Sequence, residues 1–263
     1  MLAYILKFCV NYHTHTQRCR HASGSDREYV QFAINYGFKT LGFADHSPQC
    51  FPGEYYSGFR MYREEVDGYF ASLLSLKEEF KDQIDIKIGF EAEYYPDIFP
   101  DLLKFLSPYP CDYLIVGQHF LNNEYDHPEN PPRGSVEYVQ AYVDQVCAAM
   151  RTGCYTYVAH PDLPWCDDYG PKYFKAMEKL IECSMETKVP LEINCLGIHG
   201  NRNYPYKPFW ELVGKMGAPV VVGLDAHDPY AFTLEGVMAE AQKIIDDYHL
   251  IYTEPVLRPL PKK

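Results

Sequence analysis

The chain has 263 residues, 47% of them apolar and 23% charged, with a formal net charge of −12; that is enough apolar material for one large α/β barrel or two small domains. So acidic an average field repels polyanions, and no basic run offers a local exception, which argues against a nucleic-acid polymer as partner. Nine cysteines, an odd number without a Cys-x-x-Cys pair, argue against a disulfide framework or a cysteine-rich zinc site and fit free core thiols in a reducing cytoplasm.

In chain order, the start from Met1 to Val10 is apolar but short and broken by Lys7. It leads into a first strand, Phe8–Tyr12, and is read as strand and not signal peptide. Ser25-x-x-Glu28 is a capping box that opens a helix over Asp26–Tyr36. There follow a strand at Thr40–Ala44, a helix at Tyr62–Phe80, a strand at Ile84–Phe90, a helix at Ile98–Leu106 and a strand at Tyr113–Gly117. Helix Val136–Arg151 places Val136, Val139, Tyr142, Val143 and Val146 on one stripe. The rest alternates likewise: strand Tyr155–Ala159, helix Tyr173–Glu186, strand Leu191–Asn194, helix Phe209–Lys215, strand Pro219–Gly223 and helix Tyr230–Asp247.

Repeated strand–helix units predict a parallel sheet. Seven units without a linker predict one closed or nearly closed barrel and one domain over residues 1–263, with an open doubly wound sheet as the alternative. Three long loops, Ser47–Phe59, Phe120–Gly134 and Cys195–Tyr206, border one face, and loops of that length in a compact domain are usually functional or mobile. The first carries Phe51, Tyr55, Tyr56 and Phe59, suited either to stacking on a substrate ring or to capping the barrel. No segment is long enough to span a membrane.

The ionisable residues gather at the strand ends. His13 and His15 end the first strand, Asp45 and His46 the second, Glu91 and Glu93 the third, His119 the fourth and His160 the fifth; Asp225 and His227 follow the seventh. In a barrel the carboxyl-terminal strand ends converge on the face that hosts the active site. Neutral imidazoles and carboxylates are ligands of Zn, Mn and Fe. His13-x-His15 on an extended segment turns both rings to one face, and Asp225-x-His227 repeats the arrangement. Glu91 has the form of a bridging carboxylate, whose two oxygens can hold two cations. Such a pair can activate a water and clamp phosphoryl oxygens. A small phosphorylated substrate is therefore compatible with the acidic chain, because the metals outweigh the surrounding charge locally. There is no Gly-rich phosphate loop and no G-x-S-x-G.

These residues resemble the polymerase-and-histidinol-phosphatase (PHP) superfamily. The likeness is carried by Asn11-Tyr12-His13-Thr14-His15-Thr16, Ala44-Asp45-His46-Ser47, Gly89-Phe90-Glu91-Ala92-Glu93-Tyr94, Asp112-Tyr113-Leu114-Ile115-Val116-Gly117-Gln118-His119, Ala159-His160-Pro161-Asp162-Leu163 and Gly223-Leu224-Asp225-Ala226-His227. The resemblance implies a distorted seven-stranded (β/α)7 barrel, TIM-like, holding two to three divalent metal ions (Zn, Mn or Fe). It implies His13, His15, Glu91 and Asp225 around one metal, Glu91, His119 and His160 around a second, and His21, His46 and His227 around a third.

The size, the Glu91-to-Tyr94 segment and the His160-x-Asp162-Leu163 segment are most similar to the stand-alone histidinol-phosphate phosphatases. This implies hydrolysis of a small phosphomonoester, L-histidinol phosphate first among them. A nucleotide-directed phosphatase or phosphodiesterase on the same metals, and a non-catalytic metal-binding accessory domain, are the alternatives. Two positions depart from the pattern. Those enzymes carry an Arg shortly after His-x-Asp-Leu, where this chain has Pro164-Trp165-Cys166. They read Asn-Thr-Ser-Gly-Leu-Arg after the sixth strand, where this chain has Asn194-Cys195-Leu196-Gly197-Ile198-His199. Arg202 is then the expected phosphate-binding residue, with Arg18, Arg20 and Arg133 as rivals, and His199 is a candidate for touching substrate. Glu91, Asp45 and Asp162 are the expected catalytic residues, the two aspartates by orienting a ligand histidine or relaying a proton. Glu93 reads as structural or as support for a ligand, and His127 and His249 as surface residues.

Overall fold

Why the strands lie where they do follows from their residue types: most are short, largely apolar runs that alternate with amphipathic helices. A computed structural model describes residues 8–125 and 130–260. The strands are β1 (Val10–Asn11), β2 (Thr40–His46), β3 (Asp85–Glu91), β4 (Tyr113–Val116), β5 (Tyr155–Val158), β6 (Leu191–Asn194), β7 (Pro219–Gly223) and β8 (Ile251–Tyr252). They form one sheet in sequential order, and every pairing is parallel. The helices are α1 (Asp26–Asn35), α2 (Val66–Glu79), α3 (Phe99–Leu106), α4 (Val136–Arg151), α5 (Pro171–Thr187), α6 (Cys195–His199), α7 (Lys207–Met216) and α8 (Glu235–Asp247). Among the described residues no helix is long and apolar enough to cross a membrane.

The ring closes at its upper edge through a parallel bridge between Thr14 and Ala226, just beyond β1 and β7. Amide hydrogen bonds from His15 to Ala226 (2.8 Å) and from Ala226 to His13 (3.1 Å) hold that seam. At the lower edge β8 pairs with Pro219 and Val220, and Tyr252 packs edge-on against Phe8 at 5.2 Å. The eighth strand corrects the expected count of seven. It has only two residues, too short for an alternating pattern to reveal.

Other boundaries shift for local reasons. The expected helix over Tyr62–Phe80 opens as a 3-10 turn, Arg63–Glu65, before α2. That over Tyr230–Asp247 opens as a 3-10 turn over Pro229–Thr233, which Asp228 caps by accepting from the Tyr230 amide. The expected loop Cys195–Tyr206 begins with α6, whose cap is the Asn194 side chain accepting from the Gly197 amide at 2.9 Å. Asn at a helix start is favoured for this reason. Residues 1–7 and His127 lie outside the described residues, while His249 is exposed.

The main core fills the space between sheet and helices. There Phe43, Phe90, Leu114, Val143, Leu180 and Trp210 are buried. A small inner layer of Ala44, Tyr113, Ile115, Tyr157, Ala159 and Val221 plugs the barrel. Strand periodicity then turns the next inward positions, His46, Glu91, Glu192 and Asn194, into the upper mouth. In the β2–β3 register His46 lies beside Glu91.

Candidate metal centre

Asn11 fixes the turn that presents the first two histidines. Its side chain accepts from the amides of His13 (3.2 Å) and Leu224 (3.0 Å) and donates to the Thr14 hydroxyl (2.8 Å). The His-x-His and Asp-x-His segments therefore face each other across the seam. Asp225 Oδ1 lies 3.1 Å from His15 Nε2 and 3.4 Å from His13 Nε2, and the rings of His15 and His227 stack at 4.0 Å. His160 (φ 32°) and Asp225 (φ 51°) adopt left-handed backbone conformations. Such conformations cost non-glycine residues energy, and they cluster at functional sites.

Glu91 stands at the centre, 1% exposed. Its Oε2 lies 3.0 Å from His46 Nδ1, 3.4 Å from His15 Nε2 and 3.6 Å from His13 Nε2. Its Oε1 lies 2.9 Å from His160 Nε2 and 3.8 Å from His119 Nε2. Each oxygen thus faces its own group of imidazoles. His21, on the outer edge, brings Nε2 to 3.0 Å from His227 Nε2. Sets whose ligand atoms all fall within 4.8 Å of one another include His13–Glu91–His160, His13–His15–Asp225, His15–His46–Glu91 and His21–His46–His227. All nine ligand candidates come together at one mouth. Cys19, buried and two positions before His21, falls in such a set with His15 and His227.

The donor set fits divalent cations on a direct observation. His13 Nε2, both nitrogens of His15, His46 Nδ1, His160 Nδ1 and Asp225 Oδ1 are buried without a hydrogen-bond partner. The 3.0 Å approach of His46 Nδ1 to Glu91 lacks hydrogen-bond alignment. Buried polar atoms left in this state cost energy, and a cation that takes lone pairs removes the cost. Charge tells the same story. Burial would raise the carboxyl pKa of Glu91 and Asp225, but the surrounding imidazoles, His46, His119 and His13 for one and His13, His15 and His227 for the other, hold both well below the carboxylate range. Burial pulls His13 down, yet Asp225, Glu192 and Glu91 outweigh it and carry the ring up to about 10. His46 is lowered to about 4 by burial and by neighbouring His15 and His119, against the pull of Glu91. His227 falls to about 2 through burial and His15. Without a metal, protons on some rings supply the positive charge that the carboxylates demand.

A second ring of groups orients the first. Glu192 Oε1 accepts from His13 Nδ1 at 2.8 Å, and its Oε2 accepts from the His160 amide at 3.0 Å and Asn194 Nδ2 at 2.9 Å. Sequence reasoning missed Glu192, although a carboxylate two residues before Asn194 on an apolar strand was a signal. Glu93 Oε1 accepts from His119 Nδ1 at 2.9 Å. Asp45 accepts from the Thr16 hydroxyl and from the His46 amide (2.9 Å), and its Oδ1 lies 3.6 Å from His15 Nδ1. The hydrogen bonds of Glu192 and Glu93 fix the tautomers of His13 and His119.

Asp162 holds a neighbouring loop. Its carboxylate accepts from the Tyr206 amide (2.6 Å) and Trp210 Nε1 (3.0 Å), so it braces the loop before α7 and makes no hydrogen bond to a ligand side chain. Burial raises it to about 7.

The cluster of imidazoles and carboxylates floors a cleft of about 530 Å³ walled by Phe59, Phe120, Leu163, Leu196 and Tyr204, with Arg133 and Arg202 also lining it. Arg202 donates to the Tyr204 hydroxyl at 2.7 Å, and Arg133 donates to the His119 carbonyl at 3.2 Å. Arg18 and Arg20 drop out as rivals, being paired with Asp26 (2.9 Å) and Glu65 (2.5 Å). His199 ends α6 and lines a neighbouring cavity of about 250 Å³ that shares Leu196, Asp225 and His227 with the main cleft. Of the loop aromatics after β2 only Phe59 reaches that cleft; Phe51 and Tyr55 pack edge-on against each other at 5.1 Å.

Comparison with known proteins agrees with this architecture. The profile of the PHP domain family matches residues 11–195. A protein described as a probable histidinol-phosphatase from Deinococcus radiodurans is 30% identical over 227 residues, covering 82% of this chain and 85% of that protein. Another so described, from Schizosaccharomyces pombe, is 26% identical over 264 residues, covering 88% and 85%. The crystal structure of histidinol phosphate phosphatase from Lactococcus lactis, complexed with zinc, L-histidinol and phosphate, superposes with a TM-score of 0.72 at 20% identity, covering 94% of this chain and 96% of that one. At that identity the likeness speaks for the fold.

Proposed function

Because the chain belongs to the PHP domain family, we propose that it is a metal-dependent phosphatase that hydrolyses L-histidinol phosphate to L-histidinol and phosphate. The observation that carries the reading is Glu91, buried with one oxygen toward His13, His15 and His46 and the other toward His160 and His119. In this reading two to three ions of Zn, Mn or Fe would be held, one by His13, His15, Glu91 and Asp225, one by Glu91, His119 and His160, and one by His21, His46 and His227. When bound, such ions supply positive charge to phosphoryl oxygens and acidify a water.

The chain's own groups do the rest. Glu192 and Glu93 hold His13 and His119 with their outer nitrogens protonated, leaving Nε2 of each turned inward. Asp45 supports His15 from behind. Arg202, at the edge of the cleft, offers a planar fork for the phosphate oxygens that the metals leave uncovered. Phe59, Phe120, Leu163 and Leu196 exclude water around the organic half of the ester. The cleft's size falls within the range of small-molecule sites, about 300–1,000 Å³, and suits a small monoester. The positions that depart from the family pattern, Pro164-Trp165-Cys166 above all, favour a second reading, a different small phosphomonoester on the same metals.

The test is a substrate panel on zinc- or manganese-loaded protein with metal content measured alongside. Two to three ions per chain are expected, with kcat/KM for histidinol phosphate at least about tenfold, or 1.4 kcal/mol, above that for nucleoside monophosphates. Faster turnover of another monoester would overturn the substrate, and fewer than one ion per chain would overturn the metal centre.

A further inference from the structure

Arg60 ends the long loop after β2 and is 2% exposed. A guanidinium that deep in the protein persists only if paired and hydrogen-bonded. Nη1 and Nη2 donate to the two oxygens of Glu93 at 2.7 and 2.9 Å, and Nε donates to Glu124 Oε2 at 2.8 Å, an oxygen Nη2 also reaches. Glu93 and Glu124 are themselves buried, at 0% and 3% exposure. One cation therefore joins three separate pieces of chain: the loop after β2, the end of β3 and the loop after β4.

Two of those pieces carry cleft walls. Phe59 precedes Arg60 and lies under its guanidinium, 4.5 Å from ring centre to Cζ. Phe120 follows His119, and its ring centre is 5.7 Å from that of Phe59. The third piece reaches the metal centre, because the Glu93 oxygen that accepts from Arg60 Nη2 also accepts from His119 Nδ1 at 2.9 Å. That bond leaves His119 Nε2 turned to Glu91.

We propose that Arg60 is a positioning residue that couples the metal centre to the cleft wall: through Glu93 it fixes His119, and through Glu124 it holds the Phe59 and Phe120 loops together. The proposal rests on the metal-centre reading above but not on the identity of the substrate. Lysine cannot replace the fork, since a point charge on a flexible stem does not span two carboxylates in fixed geometry.

The test uses the full-length, zinc-loaded protein with Arg60→Lys and Glu124→Gln. Zinc affinity is measured by chelator competition, the wall by calorimetric binding of phenylphosphonate against methylphosphonate, and folding by thermal unfolding. Arg60→Lys is expected to release one zinc equivalent about 10- to 100-fold more readily, the range for losing an orienting partner of a ligand, and to lose the preference for phenylphosphonate. Glu124→Gln touches only the loop arm. It is expected to keep zinc affinity within about twofold while phenylphosphonate binding weakens about tenfold, one charge-assisted contact's worth. A lowered melting temperature with unchanged zinc affinity and phosphonate preference would make Arg60 a structural ion pair and overturn the proposal. If Arg60→Lys does not fold, Glu124→Gln decides alone, and unchanged phenylphosphonate binding sinks the coupling. Wild-type protein with no preference for phenylphosphonate would do the same. Failure to hydrolyse histidinol phosphate, with these measurements as expected, would sink the substrate reading and leave Arg60 its role.

Discussion

Gly117 lies just beyond β4, against the carboxylate of Glu91. A Cβ added there would stand 1.7 Å from Glu91 Oε1, 2.4 Å from Cδ and 2.6 Å from Cγ. Ordinary contact begins at 3.4 Å, so in Gly117→Ala the carboxylate and that methyl must separate to twice their present spacing. Either Glu91 leaves the centre of the imidazoles or β4 moves outward against the packed helices. Forcing one methyl into a packed interior costs about 1–3 kcal/mol. A misplacement of about 1 Å at a reacting centre can cost about a hundredfold in rate. Gly117→Ala is therefore expected to lose at least about a hundredfold in kcat/KM and to bind less zinc, while unfolding only moderately earlier. The assay is phosphoester turnover with metal analysis and thermal unfolding on the same preparation. Gly68→Ala, in α2 where an added Cβ meets nothing within 4 Å, is the control and should match the wild type. Gly117→Ala protein retaining activity within about threefold would show that Glu91 need not stand where it does.

Three further outcomes follow. Glu91→Gln should lose activity even at saturating metal, because a neutral amide holds paired cations poorly; near wild-type turnover would remove its bridging role. Arg202→Ala should lower kcat/KM about 10- to 100-fold, or 1.4–2.8 kcal/mol, with metal content unchanged; unchanged kinetics would pass the role to Arg133. In metal-free protein His13 is raised from 6.5 to about 10, so its contribution to stability is full below 6.5 and lost as pH rises toward 10. Chemical denaturation of chelator-treated protein should show that decline and zinc-loaded protein should not, since the cation replaces the proton; identical profiles would count against metal displacing that proton.

The strand-end histidines were legible because a period of two and a parallel sheet leave few places for them to go. Glu192 was harder to see: its partners, His13 and His160, come from two other strands, and only its buried charge marked it. The bonds of Asp162 to Tyr206 and Trp210 were not legible, because those partners lie 44 and 48 positions away. The cavity beside His199 was not legible, because the expected loop starts with the short helix α6 that carries it there. Arg60 gave no local sign, as its carboxylate partners lie 33 and 64 positions away.

The seam of the barrel has a consequence for how the chain folds. Just beyond β1 and β7 the chain is bridged at Thr14 and Ala226, and the nearby Asn11–Leu224 contact spans 213 positions. So long a closure must precede any reward from its contacts, so it belongs late in folding. His13, His15 and Asp225 stand on both sides of that bridge, and a cation shared among them would be a clasp between one end of the sequence and the other. Amide hydrogen exchange at His15 and Ala226 should be fast without metal and slow with it; equal rates would dissolve the idea. An enzyme built this way completes its ring and its chemistry in one event, so chains caught half-closed carry no assembled centre with which to act.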